Sequence, residues 1–214
     1  MTDHIEIGRL LRSETTGFVF GCKLDQIDSP SFGALVRVRM DEHYQIFGLI
    51  YDIRIQDDGL VRQLITSDTL ADEAWLDTRG NRTVPVEIGV LALGYELDGQ
   101  VSYLLPPRPP LSLDEIFLCT PAEVAAFTGA GRMGYLRHLL RDKDIPVEEL
   151  LAAHLKQARD VQAAAGNSGW FDAALEEVIA LLKDDYPTLM RVLGAVDEVE
   201  LAQDRHDELN GRLA

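Results

Sequence analysis

Hydrophobic and polar positions alternate most cleanly between Phe32 and Ile55. In the first half of that stretch Ala34, Val36, Val38 and Met40 share one face, and Arg37 and Arg39 share the other. A period of two predicts a half-buried strand. After the polar break Met40-Asp41-Glu42-His43, Phe47, Leu49, Tyr51, Ile53 and Ile55 line one face, while Ile46, Gly48 and Ile50 carry apolar character to the other. The pair reads as a hairpin whose second strand is covered on both sides near its middle.

The same period extends in both directions. Residues 5–12 and 17–24 read as two short strands around Ser13-Glu14-Thr15-Thr16, and 25–31 as a polar connection. Gln56-Asp57-Asp58-Gly59 is a turn, and 67–77 has the spacing of a short helical insertion capped by Ser67. Trp75 in that insertion reads as packing it onto the sheet, with a ligand contact as the alternative. Strands follow over 83–97 and 100–105, joined by Asp98-Gly99. Pro106-Pro107-Arg108-Pro109-Pro110 predicts a stiff, extended linker, and 116–119 returns as a closing strand. Gly8, Gly17, Gly21, Gly33 and Gly48 recur at the bends that a small closed barrel needs, which favours a barrel over a flat sheet.

Beyond residue 119 the period becomes helical. Thr120-Pro121-Ala122-Glu123 is a capping box with proline at the first helical position. The helix it opens runs through Phe127 to Gly129, and Leu136, Leu139 and Leu140 mark a second. A third opens at Pro146 with Val147, Leu150, Leu151, His154, Leu155, Ala158 and Val161 on one face. Phe171, Ala174, Leu175, Val178, Ile179 and Leu182 mark a fourth, and Leu189, Val192, Leu193 and Val196 a fifth. The stretch from Glu198 to Ala214 is acidic, with sparse apolar residues, and is expected to fray or project. The fold class is therefore α+β: a glycine-rich β-barrel over 1–119 with a helical insertion near 67–77, then an α-helical bundle over 120–214.

Composition narrows the function. The 214-residue chain carries a net charge of −16, opposite in sign to what phosphate binding requires, so direct nucleic-acid binding is not expected. The start Met1-Thr2-Asp3-His4 lacks the pattern of a secretory signal, and no stretch has the roughly 20 apolar residues of a membrane span. Cys22 and Cys119 fit neither a zinc spacing nor a disulfide framework and read as small apolar residues of a reducing compartment. A cytoplasmic protein is expected.

Candidate chemistry is sparse. Gly129-Ala130-Gly131-Arg132-Met133-Gly134 satisfies G-x-G-x-x-G, but a capped helix rather than a strand feeds it, so it reads as a connector and no cofactor is expected. None of His4, His43, His138, His154 and His206 stands four residues from another, the spacing of a helical metal pair. His154 falls on an apolar stripe, as a hydrogen-bonded core or interface histidine does, and His43 sits in a solvated turn. Asp41, Glu42, Asp52, Asp57 and Asp58 cluster around one hairpin in sequence. They are the candidates for a metal-dependent nuclease, against the simpler reading of solvated turn residues. Arg37 and Arg39 read either as a solvated strand face or as partners for acids on another subunit or on the helical part.

The string Ile7-Gly8-Arg9-Leu10-Leu11, Phe32-Gly33-Ala34-Leu35-Val36-Arg37-Val38 and Ile46-Phe47-Gly48-Leu49-Ile50-Tyr51-Asp52-Ile53 resembles the HAS barrel, the domain at the N-termini of HerA-type ATPases and ATP synthase core subunits. Val86 to Tyr95 with the proline-rich stretch after it resembles the late strand and exit of that barrel. The likeness spans about residues 5–120. It departs from HerA-type proteins in lacking any G-x-x-x-x-G-K-[ST] phosphate loop. The resemblance implies a non-enzymatic assembly or docking role, with a HerA-like ATPase or associated nuclease in DNA processing as partner, or a homo-oligomer. The alternative is a metal-dependent nuclease that uses the hairpin carboxylates. Arg37, Arg39 and Trp75 are the candidate interaction residues.

Overall fold

In a computed structural model the described residues are 5–22, 30–55, 86–140 and 145–211, with side chains through Glu198. Seven strands are present among them: β1 (Glu6–Ser13), β2 (Gly17–Cys22), β3 (Leu35–Arg39), β4 (Tyr44–Ile55), β5 (Val86–Leu97), β6 (Gln100–Ser102) and β7 (Glu115–Leu118). Six of them close a ring in the order β2-β1-β7-β3-β4-β5, completed by antiparallel pairing of β2 with β5 from Gly17↔Leu91 to Cys22↔Val86. The last strand in sequence, β7, fills the gap between β1 and β3. The protein is thus a closed antiparallel β-barrel with helices, of the α+β class. The predicted insertion near 67–77, and Trp75 with it, lies outside the described residues.

Alternation along the strands sorts the barrel into two cores. Ile7, Leu10, Phe18, Phe20, Val36, Val38, Ile46, Ile50, Ile88 and Ile116 fill the interior. Leu35, Phe47, Leu49, Leu91 and Leu93 point outward and share a second core with the helices. Gly48 faces inward across from Ala92, where a side chain would run into the Val90 methyl and the Leu91 carbonyl, so β4 and β5 approach closely only without one. The face assignment within β4 holds as far as Tyr51 and then fails. A register shift between Ile50 and Asp52 re-aims Ile53 against the barrel interior, away from the face it shares in sequence with Phe47 and Leu49.

Five helices follow among the described residues: α1 (Pro121–Gly129), α2 (Leu136–Leu139), α3 (Val147–Ala164), α4 (Trp170–Leu181) and α5 (Tyr186–Gly211). The stripe of α3 read from sequence is the buried one, with Leu150, Leu151, His154, Leu155 and Ala158 all inside. α3 carries α5 on one flank and the barrel on the other through this shared core. Fraying after Glu198 is not observed in the backbone: α5 runs 26 residues without a break. Good helix formers such as Glu, Leu, Ala and Gln there outweigh the sparseness of apolar positions.

Gly33 sets the contact between barrel and helices. Its φ of +81° is a conformation that side-chain-bearing residues rarely adopt, and a Cβ there would lie 2.9 Å from the Ala153 Cβ and 3.1 Å from the His154 nitrogen on α3. Gly33→Ala is therefore expected to lower stability by about 2 kcal/mol, the sum of a left-handed backbone cost and a forced shift of α3. Urea denaturation of the two purified proteins measures it. A loss below a few tenths would show that α3 does not rest on Gly33.

Candidate functional site: the barrel–helix seam and the open wall

The seam begins with Glu123, which the sequence marks only as a capping residue. Thr120 and Glu123 do form the predicted box: the Glu123 amide donates to Thr120 Oγ1 at 3.3 Å and the Thr120 amide donates to Glu123 Oε2 at 2.8 Å. The other carboxylate oxygen, Oε1, lies 2.7 Å from Arg37 Nε on β3. Arg37 is fully buried, with its guanidinium 4.9 Å from the centre of the Phe117 ring on β7. Of the two readings of this face of β3, pairing with an acid on the helical part is the one that holds for Arg37, which α1 covers with Glu123. Arg39, two residues on, is exposed at the strand end.

Further along the seam, aromatic rings carry the packing. Phe47 on β4 stacks on Phe127 of α1 at 4.6 Å, and Tyr103 and Tyr135 meet the same ring edge-on and tilted. Tyr103 donates its hydroxyl to the carbonyls of Phe127 and Ala130, at 2.5 and 2.6 Å, so the G-x-G-x-x-G stretch is a helix-to-helix turn tied to the barrel. His154 sits below. Its Nδ1 is 3.4 Å from the Gly33 carbonyl, which only accepts, so Nδ1 carries the proton and Nε2 accepts from the Tyr135 hydroxyl at 3.0 Å. Burial, opposed by the Gly33 bond, pushes the imidazole pKa down to about 4. Burial is also the main reason the nearby Cys119 thiol is held well above the usual range, with Glu123 adding to it and Arg37 opposing. A third polar tie, missed in the sequence, joins α1, α3 and α4: Gln162 donates to the Ala125 carbonyl and Thr128 hydroxyl, and Trp170 Nε1 to the Thr128 carbonyl.

Of the carboxylates grouped around the hairpin, the described ones do not meet. Asp41 and Glu42 stand at one end of the 12-residue β4 and Asp52 toward the other, roughly 30 Å of strand apart. Asp41 accepts from the His43 amide, and Asp52 pairs with Arg54. Asp57 and Asp58 lie outside the described residues, as does His4. No group of three or more His, Cys, Asp or Glu placed to hold a metal occurs among the described residues.

Across the ring from β4 lies β1, whose outer face carries no helix among the described residues. Leu11 is 46% exposed there. Alongside it runs the strap after the proline stretch, fixed by Ser13 Oγ donating to the Pro110 carbonyl (2.6 Å), Ser112 Oγ to the Leu11 carbonyl (3.3 Å) and the Leu113 amide to the Leu10 carbonyl (2.8 Å). Leu111 and Leu113 on this strap are 70% and 71% exposed. The proline stretch is not straight as predicted. It bends at Pro107-Arg108, where Pro107 is followed by a residue other than proline and its ψ is released. Ion pairs frame the leucines: Arg9 with Glu6 and Glu115, and Arg12 with Glu87. Among the described residues no helix is long and apolar enough to cross a membrane. No protein-family model and no curated protein matches the chain.

Proposed function

We propose that the protein is a non-enzymatic assembly or docking protein whose barrel makes the subunit or partner contact. The observation that carries this reading is the division of the barrel wall. One side is committed to the helices through Phe47, Leu49 and Leu93, whereas the β1 side presents Leu11, Leu111 and Leu113 to solvent on an anchored strap. Apolar side chains held at fixed positions inside a charged rim are the usual composition of a protein contact. The closed ring, the glycine-bearing strands and the helices after residue 119 support a HAS-type barrel followed by a helical bundle. On that resemblance the partner is a HerA-like ATPase or a nuclease that works with one in DNA processing, in the cytoplasm.

Light scattering of the purified full chain, alone and mixed with the HerA-like ATPase or nuclease of the same genome, tests this. A complex is expected, and the double substitution Leu111→Asp and Leu113→Asp is expected to weaken it at least about tenfold with the melting temperature unchanged. A chain that stays monomeric and binds neither partner would refute the reading.

A further inference from the structure

We propose that the wedge between barrel and helices is a binding site for a small, uncharged, largely apolar molecule of one or two rings that bears a hydrogen-bond donor. The cavity, about 280 Å³, lies between the start of β3, the end of β7, α1 and α3. It is held open at both ends. At one end Gly33 abuts Ala153 while His154 ties Gly33 to Tyr135; at the other Gln162 ties α3 to Ala125 and Thr128 of α1. With both ends fixed by buried hydrogen bonds, the walls between them have little freedom to collapse. An apolar cavity of about 150 Å³ accepts benzene, so nearly twice that volume suits two fused rings.

The lining sets the chemistry. Leu35, Leu118, Val124, Ala158 and Val161 supply apolar walls from both parts of the protein, and none of the described lining residues carries a charge at neutral pH. A charged guest would lose its hydration there without an ion to meet. Gln157 supplies the polar anchor. Its Nε2 donates to the Phe32 carbonyl at 3.0 Å, which fixes the amide orientation, and its Oε1 accepts no hydrogen bond from the described residues. An apolar cleft at the junction of two structural units with one oriented polar group is the common form of a small-molecule site. It lies around the ring from the leucine-bearing β1 wall, and the inference does not depend on the docking reading.

The test uses the full chain with indole as probe, naphthalene as the analogue without a donor, and indole-3-acetate as the charged control. Indole is expected to raise the melting temperature saturably and to slow maleimide labelling of Cys119, which lies on the cavity wall, with labelling of Cys22 unaffected. Indole-3-acetate is expected to do neither. Ala158→Phe, which fills the cavity, should abolish both effects. Should that variant fail to fold, Gln157→Leu decides: indole should bind about tenfold more weakly, down to the level of naphthalene. No saturable effect of indole, an equal effect of indole-3-acetate, or indole binding unchanged by Gln157→Leu would each overturn the proposal.

Discussion

Glu123→Ala is expected to destabilise the protein by about 3–5 kcal/mol, far more than the roughly 1 kcal/mol of an ordinary lost helix cap. Two causes add. The Thr120 amide loses its acceptor at the start of α1, and the fully buried Arg37 loses the carboxylate 2.7 Å from its Nε. A guanidinium cannot shed its charge to relieve burial, as a histidine does, so the penalty stays in the folded state. Thr120→Ala removes the reciprocal cap bond, from the Glu123 amide to Thr120 Oγ1, and leaves the ion pair, and so measures the cost of a cap bond alone. The double substitution Arg37→Met and Glu123→Leu removes both charges with little change of volume and is expected to recover most of the loss, because desolvation opposes the Coulombic gain of a buried pair. Urea denaturation of the four proteins measures this. A Glu123→Ala loss no larger than that of Thr120→Ala would mean that water reaches Arg37 once the carboxylate is gone.

The barrel was largely legible because its strands obey one local rule. Ala34, Val36, Val38 and Met40 do share the interior face, and the Thr120–Glu123 box does open a helix. What was not legible depends on groups remote in sequence. Alternation separates the two faces of β3 but does not say what lies against the second, so solvent and an acid on another subunit or on the helical part stand side by side as readings of Arg37 until α1 is placed over it. Ile53 is misassigned because its bulge falls at Tyr51-Asp52, where no glycine or proline marks it.

The candidate site divides in the same way. Asp41 and Asp52 are near in sequence and far in space, since a strand spends its length separating its ends. Leu111 and Leu113 follow a proline stretch that reads as a spacer, and their exposure depends on hydrogen bonds to β1 that no local pattern encodes. His154 is the exception. A histidine on the apolar stripe of an amphipathic helix already implied a hydrogen-bonded core position, and the structure adds Tyr135 and Gly33 as its partners.

That position makes the fold sensitive to acid. The folded imidazole titrates near 4, against 6.5 for the free side chain, so between those values the unfolded chain binds the proton and the folded chain does not. Stability from this group is complete above about pH 6.5, declines as pH falls, and is fully lost below about pH 4, a total of about 3 kcal/mol. Protonation also sets an Nε2–H against the Tyr135 hydroxyl and places a charge beside the Gly33–Ala153 contact, so the seam, and not the barrel interior, is expected to loosen first. Unfolding free energies of wild type and His154→Gln between pH 7.5 and 4.5 isolate the contribution from the carboxylates, which both proteins share. The wild-type curve should fall more steeply by most of that amount, and the His154 ring resonances should stay unshifted until well below pH 6. Parallel curves, or a ring that titrates near 6.5, would show that water reaches the imidazole and that the seam is open in solution.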